Sequence, residues 1–402
     1  MTSLPIDDDQ AWLPWKSQWR LKEGTTYLNH GSFGPPPEPV RTARRQWIDR
    51  MDQQPMEFFV LTIEPALYDA LRRLAEFVGT SHDNLVFSEN ATFAMNVVAD
   101  SFPLNAGDEV VLTDHEYGAV KRIWQRRCKR AGIDAPITAH IPLPISSQQE
   151  IVDAIFNVVT EKTRLVVVSH ITSATAIIIP VDQICAKARE LGIAVCIDGP
   201  HAPAHVPLDI DQLDCDFYTA SCHKWLSAPF GSGFLYVHPK YQQHIEPLNL
   251  SWGRLPPTEP SAWSDEFLWS GTRDPSPYLT IPTATDFMEQ VGLDAFQSRT
   301  HYLAQYARHR LLELTGLEPV VPDESHWYGS MTLARLPKGD ALQLQIALRE
   351  KFGIETPIID FADKRFIRVS CHLYNDKSHI DQLIDALHLL LKEEQCSSRN
   401  IG

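Results

Sequence analysis

The sequence predicts an α/β protein: a mostly parallel central sheet flanked by helices, followed by a smaller α+β C-terminal domain. Three observations predict it. Near-continuous apolar runs such as RLVVVSH (164–170) and AVCIDG (194–199) have the composition of strands buried on both faces. Segments with helical periodicity alternate with those runs. The helices end in ordinary stop residues, as QICAKARELG (183–192) does at Gly192.

The elements follow in order. Residues 1–35 read as an extended N-terminal arm. PPPEP at 35–39 keeps the chain from being helical until about Val40. VRTARRQWIDRM then reads as a helix, and so does EPALYDALRRLAEFVG, where Leu67, Leu71, Leu74 and Val78 recur at helical spacing. EVVLTD (109–114) is a strand, with a helix from about Ala119. After the strand at 164–170 and the helix at 183–192 come strands at 194–199, 216–221 and 233–238. Residues 239–277 are irregular and rich in Pro, Trp and Gly. Pro277 opens a helical region with helices near 278–291 and 293–315. From about 318 the pattern is a smaller domain, with a strand RFIRVSCH (365–372) and a last helix near 379–394. The division is an arm over 1–35, a large domain over 36–276 and a smaller domain over 277–402.

Composition narrows the function. The chain has 402 residues and a net charge of −15, so it lacks an overall basic footprint for nucleic acid. The densest basic stretch, KRIWQRRCKR (121–130), is spaced as a solvated helix face. The seven cysteines form no C-x-x-C pair, which argues against a disulfide framework or a structural zinc site. The start of the chain is acidic and carries no secretory pattern. The apolar stretch around IIIPV (177–181) is far shorter than the ~20 residues of a membrane span. These features point to a soluble, cytoplasmic protein without a metal, a nucleic-acid partner or a membrane.

Two residues carry chemistry. In ASCHKWLSAPFGSG (220–233), Lys224 follows an apolar strand and precedes a Gly-rich turn. Ligands bind beyond the carboxyl ends of such strands. A partly desolvated amine there is suited to Schiff-base formation, although a loop lysine can also be inert. Upstream, the strand AVCI ends in Asp198, a carboxylate that needs a partner. The pyridinium nitrogen of pyridoxal 5′-phosphate (PLP) would supply one; a turn or cap aspartate is the simpler alternative.

Together, CIDGPHA (196–202) and TASCHKW (219–225) resemble the class V aminotransferases among the fold type I PLP enzymes. This family includes cysteine desulfurases, kynureninases and isopenicillin N epimerase. The resemblance spans about 60 to 372 and implies a fold type I PLP-dependent transferase. It makes Lys224 the Schiff-base lysine and Asp198 the pyridinium partner. His201 matches the residue bonded to the ring's phenolic oxygen, and Ser221 and His223 match phosphate ligands. SENATFAMN (88–96) matches the phosphate turn, with Ala91 and Thr92 at a helix N-terminus that favours an anion. DHEYGAV (114–120) matches the turn whose aromatic ring stacks on the cofactor, as Tyr117 or alternatively His115. In SHITSATAIIIP (169–180), Ser173 takes the place of a polar residue near the cofactor, with Thr172 adjacent. WSGTRD (269–274) resembles a Gly-Thr turn reaching a neighbouring subunit's phosphate; Thr272 would then act in trans in a homodimer.

The substrate side has two markers. Period two places Phe366, Arg368 and Ser370 on one face of RFIRVS, and Arg368 matches the family arginine that holds a substrate α-carboxylate. YLNHGSFGPPP (27–37) resembles the arm of the isopenicillin N epimerase-like branch, in which Asn29, His30 and Ser32 would line the substrate pocket. KFGIETPIIDFADKR (351–365) has no cysteine where a desulfurase needs its nucleophile. The expected substrate is a small-molecule amino acid, worked at Cα. Epimerisation and C–S lysis by α,β-elimination are the leading outcomes, with transamination third and carbon–carbon bond formation a further one. An epimerase needs a second acid, for which Tyr117 or His30 are candidates. A non-catalytic PLP-fold sensor is the non-enzyme alternative, against which the joint retention of Lys224, Asp198 and Arg368 argues. A nucleotide-binding enzyme would need a G-x-G-x-x-G or Walker loop, which SENATF does not offer.

Overall fold

The computed structural model describes residues 4–253 and 259–399. The arm holds a short strand, β1 (Thr26–Tyr27), but is not simply extended. Trp12 and Trp19 are buried, and their indole N–H groups donate to the carbonyls of Pro5 and Pro35, each at 2.8 Å. The helix after the proline run starts at Glu38, because proline is tolerated in a first turn whose N–H groups have no intrahelical partner anyway. Helix Ile63–Val78 buries Leu67, Leu71, Leu74 and Val78 and ends at Gly79, whose φ of 69° is the left-handed stop that glycine adopts without strain.

Seven strands make the central sheet: β2 (Leu85–Ser88), β3 (Glu109–Thr113), β4 (Ile137–Ala139), β5 (Thr163–Ser169), β6 (Ala194–Asp198), β7 (Phe217–Ser221) and β8 (Gly233–Val237). Their order is β2-β8-β7-β6-β5-β3-β4. Strand β8 pairs antiparallel with both neighbours, and the other pairs are parallel, so six strands run one way. Every residue of β6, β7 and β8 is buried, as helices on both faces require. The parallel run puts the ends of β2, β3, β5, β6 and β7 along one edge, where Ser88, Thr113, Ser169, Asp198 and Ser221 terminate their strands. The basic stretch is an amphipathic helix, Gly118–Arg130, that buries Val120, Trp124 and Cys128 and turns its charges outward. Six of the seven cysteines are buried, and among the described residues no helix is long and apolar enough to cross a membrane.

The smaller domain carries β9 (Met331–Arg335), β10 (Ile354–Glu355), β11 (Ile358–Phe361) and β12 (Lys364–Ser370). An antiparallel sheet of order β11-β12-β9 forms its floor, and β1 of the arm pairs in parallel with β10. A separate core joins these strands to helices Leu293–Thr315, Ala341–Phe352 and Lys377–Arg399. Tyr278, Ile281, Phe287, Met288 and Phe296 belong instead to the large core. Helix Leu293–Thr315 contributes to both cores, with Phe296 and Ala304 in the large one and Leu303, Ala307 and Leu311 in the smaller. Arg368 shares its face of β12 with Phe366 and Ser370, yet both faces of that strand are buried.

Candidate active site

A cavity of about 550 Å³ opens over the carboxyl edge of the sheet. It is lined by Ala91 and Thr92 after β2, Tyr117 after β3, Ser169 at the end of β5 and Ser173 beyond it, Asp198 at the end of β6 and His201 beyond it, and Ser221 at the end of β7 with His223 and Lys224 beyond it. Ser32 and Phe33 of the arm close it. The fold thus gathers residues separated by up to 193 positions (31 to 224) at one site.

Lys224 is partly buried, and its Nζ lies 3.0 Å from His201 Nε2. Desolvation first, and the Arg368 cation second, bring its amine down to about 7, against the pull of Asp198. The Asp198 carboxylate accepts from Thr219 Oγ1 at 3.1 Å. Burial pushes it up to about 6, while Lys224 and Thr219 oppose the rise. His201, His223, His205 and His30 are all held below the ordinary imidazole value, mainly by desolvation. Cations and neutral rings therefore outnumber charged carboxylates around the cavity.

Arg368 sits behind the cavity wall, 3% exposed. Its guanidinium donates to the carbonyl of Ser173, to Ser32 Oγ at 2.7 Å and to Asn29 Oδ1 at 3.3 Å. No carboxylate pairs with it among the described residues, and its Nε–H has no acceptor. Burial lowers it to about 10. A buried cation of this kind calls for an anionic partner.

The structure separates residues that the sequence grouped together. Ser32 and Ser173 reach the cavity, whereas Asn29 braces Arg368 from outside it. His30 does not line the cavity, contrary to expectation. Its ring is fully buried, with Nε2 3.0 Å from the carbonyl of Lys224 and Nδ1 2.9 Å from Tyr374 Oη, so no ring nitrogen remains for a substrate. Tyr117 lines the cavity and is half exposed; His115 is buried away from it, with Nδ1 2.8 Å from Thr175 Oγ1. Thr172 is likewise buried and bonded to Thr175 and Ile177. Thr272 lies outside the Lys224 cavity, on a second one of about 330 Å³ that also touches Ser88 and Glu89.

Some functional neighbours were not anticipated. Glu116, next to Tyr117, is buried and accepts from Thr113 Oγ1 at 2.7 Å and Ser169 Oγ at 2.6 Å. Burial, with Asp198 nearby, pushes it up to about 7 against those two bonds. Thr219 and Trp225 also touch the site. Both stand in the segment TASCHKW, whose only flagged members were Ser221, His223 and Lys224.

These residues fit PLP. His223 Nδ1 is buried without a partner. Helix Ala91–Ser101 begins at the cavity, where Ala91 N–H donates to Ser221 Oγ at 3.0 Å and Phe93 N–H is capped by Asn90. An unpartnered imidazole, a serine and a helix N-terminus suit a phosphate. Asp198 suits a pyridinium nitrogen, and Lys224 an aldehyde.

Comparison with known proteins agrees. A family model described as aminotransferase class-V matches residues 62–383. An isopenicillin N epimerase of Amycolatopsis lactamdurans is 37% identical, with 95% of this chain and 99% of that protein covered. The same-named protein of Streptomyces clavuligerus is 34% identical, with the same coverage of 95% and 99%. A probable L-cysteine desulfhydrase of Arabidopsis thaliana is 28% identical over 92% of this chain and 84% of its own length. Among solved structures, the cystine C–S lyase C-DES, in complex with its product cysteine persulfide, superposes with a TM-score of 0.80 at 22% identity, covering 91% of this chain and 98% of that one. A variant of that lyase, described with glycine covalently linked to its PLP cofactor, gives 0.79 at 22% identity over 91% and 97%. With the family model covering most of its length, this chain belongs to the class V aminotransferase family of fold type I.

Proposed function

We propose that the chain is a PLP-dependent enzyme that epimerises an amino-acid substrate at Cα. One observation carries the reading: the Arg368 guanidinium, buried without a carboxylate among the described residues, stands beside the cavity that holds Lys224 and Asp198. A substrate α-carboxylate would supply the missing charge. The similarity to isopenicillin N epimerases over nearly all of the chain supports epimerisation.

Lys224 would hold PLP, Asp198 its ring nitrogen, His201 its phenolic oxygen, and Ser221, His223 and the Ala91–Thr92 turn its phosphate. Bound PLP supplies the electron sink that accepts the charge left on Cα when its proton departs. The residues do the rest. Arg368 binds the carboxylate and fixes the direction of the Cα–H bond. Lys224, whose amine burial brings down to about 7, takes the proton in its neutral form. Tyr117, at the half-exposed wall, is the candidate acid that returns it. Ser173 and Ser32 hold Arg368 in place. Thr272 lies outside the Lys224 cavity, which supports the reading that it serves the site of a second copy in a homodimer. The substrate is a small molecule, and the chain acts in the cytoplasm.

C–S lysis is the second reading, favoured by the desulfhydrase relatives, which also cover most of the chain. Desulfurase chemistry is disfavoured because no cysteine lines the cavity among the described residues. A panel of L- and D-amino acids and cysteine conjugates in deuterated buffer decides. Solvent deuterium at Cα with inversion supports epimerisation; pyruvate and ammonia support the lyase; a 2-oxo acid with pyridoxamine phosphate supports transamination. Protein that binds no PLP would refute all three.

A further inference from the structure

Behind Lys224 lies a layer of buried aromatic and histidine rings that none of the roles above uses. Trp225, directly after the lysine, is fully buried between His205 and His30, with centroid separations of 4.2 and 5.2 Å. Its indole Nε1–H lies 3.3 Å from His201 Nδ1. Indole nitrogen only donates, so His201 Nδ1 must accept. A neutral imidazole carries one proton, which then sits on Nε2, the nitrogen facing Lys224 Nζ.

The neighbouring rings are fixed by the same logic. His205 Nδ1 lies 2.9 Å from the carbonyl of His201, which only accepts, and its Nε2 lies 2.6 Å from the backbone N–H of Ser330, which only donates. His30 Nε2 lies 3.0 Å from the carbonyl of Lys224, and its Nδ1 takes the hydroxyl of Tyr374 at 2.9 Å. His201 and Lys224 are thus gripped by their backbone carbonyls from behind, and Trp225 acts on the His201 ring itself.

We infer that Trp225 is a positioning residue which, through His201 Nδ1, fixes His201 as a hydrogen-bond donor at Nε2 towards the atom opposite Lys224. This deepens the PLP reading and rests on it in one respect: the atom opposite would be the cofactor's phenolic oxygen, which a donor stabilises as the anion. With the tautomer reversed, Nε2 would present a lone pair to that oxygen and repel it. The titratable and charged groups facing His201 are Lys224, Arg368, His205 and His223. None of them can replace an N–H on the Nδ1 side.

The first test needs no cofactor. Full-length protein labelled with ¹⁵N-histidine is examined by NMR, and the His201 signals are assigned by their loss in His201→Gln. The expected result is protonated Nε2 and bare Nδ1 in the wild type, and loss of that single tautomer in Trp225→Phe. A wild-type His201 protonated at Nδ1, or a Trp225→Phe protein with the tautomer unchanged, overturns the inference. The second test uses the PLP-loaded enzyme and reads the pH midpoint of its visible band. Trp225→Phe should raise it by about one pH unit, the scale of one lost hydrogen bond. In a His201→Gln background the same substitution should change nothing, because Trp225 would then have nothing to act through. An equal shift in both backgrounds marks a merely structural role and overturns the inference. Wild-type protein that stays colourless with PLP refutes the PLP reading, while the NMR result still decides the tautomer.

Discussion

The amine of Lys224 offers the sharpest quantitative test. In the ligand-free protein burial and Arg368 bring it down to about 7, from an ordinary 10.5. Only the neutral amine attacks an aldehyde. The neutral fraction is then about one tenth at pH 6 and about nine tenths at pH 8, so cofactor capture should rise about tenfold over that range and level off. A lysine of ordinary pKa would give a rise of about a hundredfold with no plateau below pH 10. Capture is measured by mixing cofactor-free protein with PLP, quenching with borohydride and counting modified Lys224 by mass spectrometry. Two variants test the causes separately. Arg368→Gln removes a cation that disfavours the charged amine, so the plateau should move to higher pH. Asp198→Asn removes the carboxylate that favours it, so the plateau should move lower. A rate still climbing at pH 9, or midpoints that move the same way in both variants, would refute the electrostatic account.

Three further outcomes follow from the same geometry. Arg368→Lys keeps the charge but loses the planar fork, so kcat/KM should fall by about 2 kcal/mol, roughly thirtyfold, mostly through KM; an unchanged KM would place the substrate carboxylate elsewhere. Gly34→Ala would put a Cβ 2.6 Å from His30 Nε2 and 2.7 Å from the carbonyls of His223 and Lys224, so it should destabilise by about 1–3 kcal/mol in urea unfolding and loosen PLP retention. Acid should unfold the cofactor-free protein early. His30, His170, His205 and His223 are held by burial at about 3, 4, 3 and 4, below an unfolded value near 6.5. Their contribution is therefore whole above pH 6.5 and lost as pH falls towards the folded values. Glu116 and Asp198, raised to about 7 and 6, act the other way. His115, His201 and His372 are lowered by the same burial and add to the histidine side, so stability should fall between pH 6 and 5, which denaturation curves at the two pH values would detect.

Legibility in the sequence depended on how local each signal was. Strands β6 and β7 are buried on both faces, so their apolar runs stood out, and each run ends in its functional residue. Strands β2 and β4 are four and three residues long and carry no comparable run, so they escaped notice. Lys224, Asp198, His201, Ser221 and His223 lie within two short motifs, and the structure brings them together in one cavity. Trp225 and His205 could not be read in the same way. Their partners, His201 and the backbone of Ser330, lie 24 and 125 positions away, and nothing in a local pattern announces such a bond. His30 shows the opposite failure. Its residue type and its place in a Gly-rich arm suggested a substrate contact, but a donor-and-acceptor side chain can equally be consumed by the scaffold. The choice between His115 and Tyr117 turned on where the helix after β3 begins, a boundary that residue pattern places only to within a turn.

The charge arrangement also bears on what the Arg368 cation is for. Among the described residues Arg368 is buried without a carboxylate, and the helix start at Ala91 and the bare His223 Nδ1 form a second anion-seeking point at the cavity. Glu116 and Asp198 do not neutralise them: burial favours the protonated form of both, and each already receives hydroxyl bonds. A ligand that left Arg368 without an anion would leave a buried cation unpaired, at a cost of several kcal/mol. A cavity lined by Lys224 and Asp198, with a helix start in its wall and Arg368 behind it, is therefore matched by two anionic moieties bound together, which under the proposed function are a cofactor phosphate and a substrate carboxylate.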